Sequence, residues 1–417
     1  MILLLKSVTI IDNSSQFHLQ KKDILIKNGI ITKIANAIKS DAAVKEINLD
    51  NLHISQGWFD TSVCFGEPGF EERETIENGL NTAAKSGFTA VAVNPNTNPI
   101  ADNKSAIEFI KNKATKFATA LYPIGSLTKN AESTDIAELF DMQNSGAIAF
   151  GDYNKPISNA NLLKIALQYA QNCDSLIMSF PQDNSIAGKG LVNEEKNSTS
   201  LGLKGIPALA EELQIVRDLF ILEYTGGKLH IPTISTAKSV ALIKNAKKKG
   251  LNVTCSVAAH HLVLTDNELA KFDSNTKVLP PLRTSKDSKA LIKGLNEGVI
   301  DIITSDHNPI DIEHKKVEYE NAKFGTIGLE SLFGALNKIV GLETLIPSLT
   351  TKPKNRFNIA TSSIKEGEKA DLTLFNPDFE YEFTKNKILS TSKNSIFLHK
   401  KLNGKVYGII ANNKVVL

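Results

Sequence analysis

Short runs of β-branched and other apolar residues alternate with longer amphipathic stretches over residues 53–355. This alternation is typical of parallel strands joined by crossover helices. Eight strands are predicted, at residues 53–65, 88–96, 118–126, 147–152, 175–180, 228–235, 253–261 and 300–307. Eight strand-then-helix units predict an α/β fold, a (β/α)8 TIM-type barrel, in which functional side chains gather at the C-terminal ends of the strands.

Two of the predicted helices show the amphipathic pattern well. In residues 236–250, Val240, Ile243 and Ala246 recur at three-residue steps along one face, and Gly250 is placed to end the helix. Residues 208–224 predict a second, longer helix. Both lie between predicted strands, as crossover helices must.

Both ends of the chain are rich in β-strand patterns. Asn28-Gly29 separates two such segments near the N-terminus and is a strong hairpin signal, and Asn412-Asn413 is the expected turn near the C-terminus. The simplest assembly packs the two ends together as one small β-sandwich beside the barrel. We therefore predict a discontinuous sandwich domain of residues 1–52 and 356–417, and a barrel domain of residues 53–355.

Composition and charge exclude several classes of function. The 48 basic and 45 acidic residues are interspersed and leave a net charge of +3, without the basic stripe that nucleic-acid binding requires. Only four apolar residues follow Met1 before Lys6, and no apolar run approaches the length of a membrane span. We expect a cytoplasmic protein, with neither nucleic acid nor a membrane as a partner.

The three cysteines, Cys64, Cys173 and Cys255, stand far apart in the sequence and form no CxxC pair. This spacing argues against a disulfide framework and against a structural zinc site. We expect all three to be buried thiols.

Eleven short segments, in this order and spacing, resemble the dihydroorotases of the cyclic amidohydrolase superfamily. They are GWFD (57–60), EPGFEERETIENG (67–79), NPNTNP (94–99), GAIAFGD (146–152), NSTSLGLKGIPALAEE (197–212), STAKSV (235–240), HHLVLTD (260–266), PPLR (280–283), SDHNP (305–309), KFGTIGLES (323–331) and EGEKADLTLFNP (366–377). Together they span nearly the whole chain. The resemblance implies an amidohydrolase-type barrel and a place in pyrimidine biosynthesis, where carbamoyl-aspartate and dihydroorotate are interconverted.

The same resemblance implies a pair of divalent metals, usually zinc, that share and acidify one water. Their ligands in the family are an HxH pair, an acidic residue or carboxylated lysine, two further histidines and a final aspartate. The first five of these positions hold other residues here: Ser62, Cys64, Tyr153, Phe180 and Thr233. Only the last is kept, as Asp306. Ser, Tyr, Phe and Thr are poor ligands for a borderline divalent ion, so we expect no metal cofactor.

The family's substrate contacts are also incomplete. Gly66 stands where the resemblance places a substrate-binding arginine, and Leu279 and Ile310 replace an asparagine and a histidine. Asn96 and Arg283 remain as the remnant of a substrate pocket. A pocket with fewer polar donors is less able to hold a charged ligand.

The other histidines are not expected to replace the lost ligands. His230 is interpreted as a barrel histidine satisfied by hydrogen bonds, and His260-His261 as a non-ligating pair. Asp306 and His307 are adjacent on a strand and therefore point to opposite faces, so they make a poor acid-base pair. Asp306 is kept as the one remnant catalytic candidate.

These observations favour a dihydroorotase-like pseudoenzyme with a structural or regulatory role. Aspartate carbamoyltransferase is the partner that the resemblance implies, and a homo-oligomer, such as a dimer, is expected. Two alternatives stay open. The first is an active cyclic amidohydrolase with an altered metal site built on Asp306 with Asp152 or Cys64. The second is a small-anion binding module that uses the old pocket through Asn96 and Arg283.

Overall fold

The computed structural model describes residues 1–39 and 44–417; residues 40–43, inside the predicted segment 1–52, lie outside the described residues. The strands β1 to β18 are Ile2–Ile11, Lys21–Lys27, Ile30–Ala35, Lys45–Ile47, His53–Gln56, Trp58–Val63, Phe88–Val93, Ala120–Gly125, Ala149–Phe150, Ile177–Met178, Val192–Asn193, Gly205–Ile206, Leu229–Ile231, Val253–Ala258, Ile302–Thr304, Leu372–Glu382, Lys401–Ala411 and Lys414–Val416. The helices α1 to α14 are Ile76–Lys85, Lys104–Lys113, Leu139–Asn144, Ala160–Ala170, Asn184–Ala187, Lys196–Leu201, Ala208–Thr225, Ala237–Lys248, Ala259–Val263, Ser285–Asn296, Ile312–Lys315, Leu332–Val340, Leu342–Leu349 and Thr351–Arg356.

Eight parallel strands form the barrel in the order β6-β7-β8-β9-β10-β13-β14-β15. A parallel bridge between Val63 and His307 joins the first strand to the last and closes the sheet. All residues of β6 and β7 are buried, as expected for strands covered on both faces. The predicted (β/α)8 barrel is confirmed.

The crossover helices follow the predicted pattern. In α8, Val240, Ile243 and Ala246 are buried against the barrel. The helix begins at the predicted place because the Thr236 side chain accepts a hydrogen bond from the backbone N–H of Ser239, which caps the first turn. Gly250 follows the last turn with φ +81, a conformation that glycine adopts at low cost.

The strands are shorter than predicted, and one predicted strand is two. Residues 53–65 divide at Gly57: β5 pairs with β1 and β16 outside the barrel, and only β6 enters it. A Cβ atom at Gly57 would lie 2.1 Å from Thr89 Oγ1, so glycine is required where the chain passes between the two sheets. Similarly, the predicted strand 253–261 ends at Ala258, and its last residues begin α9.

Strands from both chain ends form a second sheet, in the order β18-β17-β16-β5-β1-β2-β3, with β4 also paired to β1. Its pairs are antiparallel except those of β1 with β4 and β5. Both predicted turns are present: Asn28 and Gly29 have φ of 49° and 76°, and Asn412 and Asn413 have φ of 50° and 55°. Two successive positive φ values define the type I′ hairpin turn, which matches the twist of the strands.

Separate hydrophobic cores support the two sheets. One core fills the space between the barrel strands and their helices, and a smaller one, which includes Phe59 and Phe357, fills the barrel interior. A third core, which includes Leu5 and Leu374, joins the N-terminal and C-terminal strands of the second sheet. None of the described helices combines the length and the apolar character that crossing a bilayer requires.

Candidate functional site

The C-terminal ends of the barrel strands surround one small cavity. Its lining includes Ser62, Tyr153, Phe180, Thr233 and Asp306, which come from the ends of five different strands. The cavity measures about 20 Å³. This is room for about one water molecule, whereas pockets for small-molecule ligands usually measure roughly 300–1,000 Å³. The cavity lies where barrel enzymes bind their substrates, but it is much smaller than a usual ligand pocket.

A chain of hydrogen bonds crosses the top of the barrel. Asn94 Nδ2 donates to Ser62 Oγ at 3.1 Å, and Ser62 Oγ donates to Asp306 Oδ1 at 3.1 Å. Asn94 Nδ2 also lies 3.6 Å from Cys64 Sγ. Asn94, at the end of β7, was not among the sequence-based candidates, although it is the first residue of the NPNTNP segment.

The phenol of Tyr153 lies between the ends of the first and last barrel strands. The residue is partly buried, and its hydroxyl lies beside the Cys64 thiol, the Asp306 carboxyl and Asn308. Burial, and then the nearby Asp306, raise the pKa of Tyr153 well above its ordinary value. The tyrosine therefore stays protonated and occupies space at the centre of the site as a neutral group.

Burial also governs the ionisation of the other two groups. It raises the pKa of Asp306 to about 7, with Asp60 adding to the rise, while the hydrogen bond from Ser62 opposes it. It raises the pKa of Cys64 to about 12, so the side chain is a thiol rather than a thiolate at neutral pH. A metal that bound to Cys64 would have to displace the proton of this thiol.

Asp152, the surviving acidic residue next to Tyr153, is bound to the loop after β8. Its Oδ1 accepts hydrogen bonds from Ser126 Oγ at 2.8 Å, from the Leu127 N–H at 2.8 Å and from the Thr128 N–H at 3.0 Å. Its Oδ2 accepts from Thr128 Oγ1. Both carboxylate oxygens are thus used to shape the loop, although Asp152 also borders the cavity.

The side chains present do not fit the pair of divalent metals that the resemblance implies. Among the described residues, no three His, Cys, Asp or Glu side chains lie close enough together to hold a metal ion. At the cavity itself the acidic groups are Asp152, which is engaged, and Asp306, which is largely protonated below pH 7. The donor set lacks the nitrogen and carboxylate ligands that two zinc ions need.

Three residues at this site hold a left-handed backbone conformation. Tyr153, Thr233 and Asp306 have φ of 57°, 48° and 50°. For Thr233 this is a true outlier, since a β-branched side chain is crowded at positive φ. Strain of this kind persists only where the surrounding structure imposes it, and it clusters at functional sites. The strand ends at this site therefore hold an unusual backbone geometry.

The two remnant substrate-pocket residues lie outside the cavity lining. Asn96 is partly buried beside Cys64, and its Oδ1 has no hydrogen-bond partner within the described part of the chain. Arg283 is buried in a network of protein groups: Nη1 donates to Asn193 Oδ1 at 2.8 Å and to the Ile206 carbonyl at 2.7 Å.

Glu211, which the sequence-based interpretation missed, completes the network around Arg283. It lies 4.0 Å from the guanidinium and accepts hydrogen bonds from the Ser235 N–H at 2.8 Å and Ser239 Oγ at 2.6 Å. Glu211 thus joins α7 both to the start of α8 and, through Arg283, to the segment before α10. Two sequence signals pointed to it: its place in the segment 197–212, and its place on the apolar helix 208–224, where a buried acid needs a partner.

The loop after β6 is tightly packed around Gly66, the position where the family resemblance places a substrate arginine. Gly66 N–H donates to the Glu74 carbonyl at 2.9 Å, and the Phe70 N–H donates to the Gly66 carbonyl at 2.7 Å. A Cβ atom at Gly66 would lie 1.9 Å from the Phe70 carbonyl oxygen. Any larger side chain at this position requires the loop to move.

The histidines have structural roles. His230 lies in the barrel, with its ring nitrogens 2.9 Å from Thr254 Oγ1 and 3.1 Å from Ser256 Oγ, as predicted. His307 Nδ1 accepts a hydrogen bond from the Gly328 N–H at 3.2 Å. The expectation for the cysteines was wrong in one case: Cys64 and Cys255 are buried, but Cys173 is partly exposed after α4.

Comparison with known proteins agrees with this geometry. A family model described as Dihydro-orotase-like matches residues 53–239. A dihydroorotase of Pelotomaculum thermopropionicum is 39% identical over 100% of this chain and 99% of its own length. One of Ruminiclostridium cellulolyticum is also 39% identical, over 94% of each chain.

The chain belongs to the dihydroorotase family. Solved structures support the fold of this family member. An L-hydantoinase (dihydropyrimidinase) from Arthrobacter aurescens superposes with a TM-score of 0.87 at 22% identity, covering 100% of this chain and 96% of that one. A dihydropyrimidinase from Brevibacillus agri superposes with a TM-score of 0.84 at 18% identity, covering 100% and 95%. The chain therefore shares its fold with both structures over its whole length.

Proposed function

We propose that this dihydroorotase homologue no longer carries out metal-dependent ring opening or closure and acts as a structural or regulatory subunit beside aspartate carbamoyltransferase. The observation that carries the proposal is the Tyr153 phenol, which lies between Cys64 and Asp306 in a site with a cavity of about 20 Å³. A cyclic amide and an attacking water do not fit in that volume.

The charge state of the site supports the same proposal. Binuclear hydrolysis depends on a hydroxide that two metals generate, and on ligands that stay deprotonated. Burial raises the pKa values of Asp306, to about 7, and of Cys64, to about 12. A metal that bound here would have to displace the protons of both groups.

The alternatives find less support in the geometry. An altered metal site on Asp306 with Asp152 or Cys64 needs free anionic donors, whereas Asp152 accepts four hydrogen bonds from its own loop. A small-anion module needs a free cation at the pocket. Arg283 instead donates to Asn193 and Ile206 and lies outside the cavity lining.

Aspartate carbamoyltransferase is proposed as the partner on the basis of the family resemblance. Dihydroorotases of this type associate with that enzyme, and inactive versions serve it as structural subunits. A purely structural role would preserve the barrel, the second sheet and their cores, but it would not preserve the metal ligands. The intact cores of both sheets support this reasoning.

The catalytic part of the proposal is tested on the purified chain. Metal content is measured after expression with added zinc, and interconversion of carbamoyl-aspartate and dihydroorotate is assayed in both directions. The dihydroorotase of Pelotomaculum thermopropionicum, assayed in parallel, is the positive control. We expect less than one divalent ion per chain and no turnover. Turnover that Asp306→Asn abolishes would refute the proposal.

The partner is tested separately by co-expression with the aspartate carbamoyltransferase of the same cell. We expect the two chains to co-purify and the carbamoyltransferase to lose assembly or activity when this chain is omitted. If the carbamoyltransferase is fully assembled and active alone, the partner is wrong, while the catalytic conclusion stands on its own assay.

A further inference from the structure

One cavity outside the barrel interior lies between helix α12 and the paired strands β16 and β17. It measures about 350 Å³, which falls in the range of roughly 300–1,000 Å³ that is usual for small-molecule sites. It shares no lining residue with the cavity at the barrel strand ends. We refer to it as the β17 cavity; the side chains that matter for its chemistry are Lys85, Glu330, Phe379, Tyr381, Lys387 and Lys405.

The end of β16 supplies the apolar wall of the β17 cavity. Phe379, Tyr381 and Phe383 line it, whereas the acidic residues 378, 380 and 382 do not. This alternation follows from the pleat of a strand, in which successive side chains point to opposite faces. The three acids pair outside the cavity, with Lys338, Lys401 and His399. Three aromatic side chains therefore reach the cavity without the negative charges that lie between them in the sequence.

The two outer rings offer a surface on which a planar group can stack. The ring centroids of Phe379 and Tyr381 lie 6.1 Å apart with an interplanar angle of 36°, and Phe379 is 42% exposed. Tyr381 lies close to helix α12, since a Cβ atom at Gly334 would be 3.1 Å from the tyrosine hydroxyl oxygen. Aromatic side chains stack on nucleotide bases of any sequence, because every base has a π face.

Glu330 supplies an acceptor that lacks a donor. Its Oε1 accepts hydrogen bonds from the N–H groups of Leu389 and Ser390 at 3.1 and 3.0 Å and from Ser390 Oγ at 2.7 Å. In the described part of the chain, its buried Oε2 has no hydrogen-bond partner and no cationic side chain within ion-pair distance. Burial, and then the charge of Glu330, raise the pKa of Tyr381 to about 12, which places a protonated phenol near this carboxylate. Buried acceptors are normally satisfied, so an N–H donor from a bound molecule would complete this group.

Three exposed lysines without ion-pair partners also line the β17 cavity. Lys85 lies in the last turn of α1. Lys387 Nζ lies 4.6 Å from the ring centroid of Tyr381, and Lys405 Nζ lies 5.5 Å from that of Phe379. Over residues 1–39 and 44–417, none of the three has a carboxylate within ion-pair distance. A cavity lined by three positive charges and one negative charge attracts anions, and lysine is a common ligand of phosphate.

We propose that the β17 cavity binds a nucleoside monophosphate. The base lies against Phe379 and Tyr381, an N–H of the base donates to Glu330 Oε2, and the phosphate lies at Lys387 and Lys405. An apolar ligand would leave the lysines and the carboxylate unmatched, and a simple anion would leave the rings and the carboxylate unmatched. All four common bases carry N–H donors on their Watson–Crick edge, so the experiment distinguishes among them. The proposal is independent of the proposed function, because no residue of the barrel cavity takes part.

The first experiment is isothermal titration of the full chain, at low salt, with the monophosphates of adenosine, guanosine, cytidine and uridine. At least one binds with a submillimolar dissociation constant, and added salt weakens binding because it screens the lysines. Ribose 5-phosphate, inorganic phosphate and the matching nucleoside each lack one part of the ligand and bind at least tenfold more weakly. The absence of binding by all four nucleotides, or phosphate that binds as tightly as a nucleotide, would overturn the proposal.

The location is tested at exposed residues, whose substitution leaves the core intact. Phe379→Ala weakens binding at least tenfold, and so does Lys387→Gln combined with Lys405→Gln. The matched controls are Phe140→Ala, at a phenylalanine that is 54% exposed on α3, and Lys401→Gln, on β17 but outside the cavity lining. Both controls leave binding unchanged. Unchanged binding in the cavity variants, or an equal loss in the controls, would show that the nucleotide does not bind here.

Photo-cross-linking reports the position of the base directly. The probe is 4-thiouridine monophosphate if a pyrimidine nucleotide binds more tightly, and 8-azidoadenosine monophosphate if a purine nucleotide does. Peptide mapping after irradiation finds the label within residues 379–389, and an excess of unlabelled nucleotide suppresses it. Label elsewhere in the chain, such as at the barrel strand ends, would overturn the proposal. The loss of catalysis is judged by its own assay, so either proposal can fail alone.

Discussion

Ser62 Oγ donates a hydrogen bond to Asp306 Oδ1 at 3.1 Å, joining the end of the first barrel strand to the end of the last. The family resemblance places metal ligands at both positions. In this chain a hydrogen bond joins the two side chains directly. The carboxyl group is 7% exposed, and its pKa is raised to about 7 mainly by burial. Its protonation is therefore linked to folding.

The free energy of unfolding should fall as pH rises from about 4 to about 7. The unfolded Asp306 carboxyl loses its proton near pH 4, whereas the folded protein keeps it to about pH 7. The native state binds more protons between these values, so the free energy of unfolding decreases with pH, by up to about 4 kcal/mol for a pKa change of this size. Asp306→Asn, which stays neutral and tolerates positive φ, should remove this decrease.

The measurement is urea unfolding of wild type and Asp306→Asn at pH 5 and pH 8. The variant should be more stable at pH 8, and its advantage over wild type should be smaller at pH 5, because most of the range between the unfolded and folded pKa values of Asp306 lies above pH 5. Burial also raises the pKa of Asp60, and Asp60 acts on Asp306, so the difference between the two proteins includes any change in the ionisation of Asp60. Asp152→Asn, which removes an acceptor from a loop with four donors, should be less stable than wild type at both pH values. A variant at 306 that is no more stable than wild type at pH 8 would contradict the assignment.

Thr233 is expected to reduce the stability of the fold. Its φ of 48° crowds a β-branched side chain, a strain of roughly 1–2 kcal/mol. Thr233→Asn should raise the free energy of unfolding by about 1 kcal/mol, because asparagine tolerates this conformation. Thr236→Asn, at an N-cap with φ −112°, is the matched control and should be close to neutral. Equal effects at the two positions would show that the strain at Thr233 is not energetically significant.

Arg283 and Glu211 should behave as one buried unit. Truncating either to alanine leaves the other charge without its partner at 2–3% exposure, a loss of roughly 3–5 kcal/mol for each single variant. The double variant should lose less than the sum, because it leaves no unpaired charge. Chemical denaturation of the three variants measures this coupling. Strictly additive losses would show that the two groups, 4.0 Å apart, do not stabilise each other.

Metal binding should be recoverable by side-chain substitution. The backbone at Tyr153, Thr233 and Asp306 keeps its left-handed conformation, and the barrel is closed. A variant with the family's ligands restored should therefore bind divalent metal above the wild-type level: it carries Ser62→His, Cys64→His, Tyr153→Asp, Phe180→His and Thr233→His. Elemental analysis after zinc loading reports the result. No gain in metal would show that the groups supporting the ligands have also been lost.

The loop at Gly66 should resist any larger side chain. A Cβ atom there would lie 1.9 Å from the Phe70 carbonyl oxygen. Gly66→Ala alone should therefore destabilise the protein by several times the cost of Gly202→Ala. At Gly202 there is open space, and only φ +69 opposes a side chain, at about 1 kcal/mol. Similar losses for the two variants would show that the loop yields easily.

The barrel could be predicted from sequence because its signals are local. The run Phe88–Val93 is apolar except for Thr89, and helix α8 carries its own periodicity and cap. The division at Gly57 could not be predicted, since β5 and β6 read as one apolar segment. Only pairing with β1 and β16, far away in the chain, assigns β5 to the other sheet.

The site was predictable in residue identity but not in arrangement. Motif spacing located Ser62, Tyr153 and Asp306 at the ends of their strands, and the structure brings them together. The position of the Tyr153 phenol depends on its left-handed backbone, which the sequence does not encode locally. Likewise, the PPLR motif suggested a pocket role for Arg283. Its partners in the structure, Asn193 and Glu211, lie 90 and 72 residues earlier in the chain, so the motif alone does not reveal them.

The passage through Gly57 also limits how this protein can be dissected. One residue separates β5 from β6; its N–H donates to the Asp371 carbonyl at 2.8 Å, and the next N–H, of Trp58, donates to Thr373 Oγ1 at 3.2 Å. The C-terminal segment thus holds the chain at the point where the barrel begins. A truncated chain starting at residue 58 would lack β5 and would expose the N-terminal end of the first barrel strand, β6. Binding surfaces of this protein should therefore be mapped by surface substitutions rather than by removal of either terminal segment.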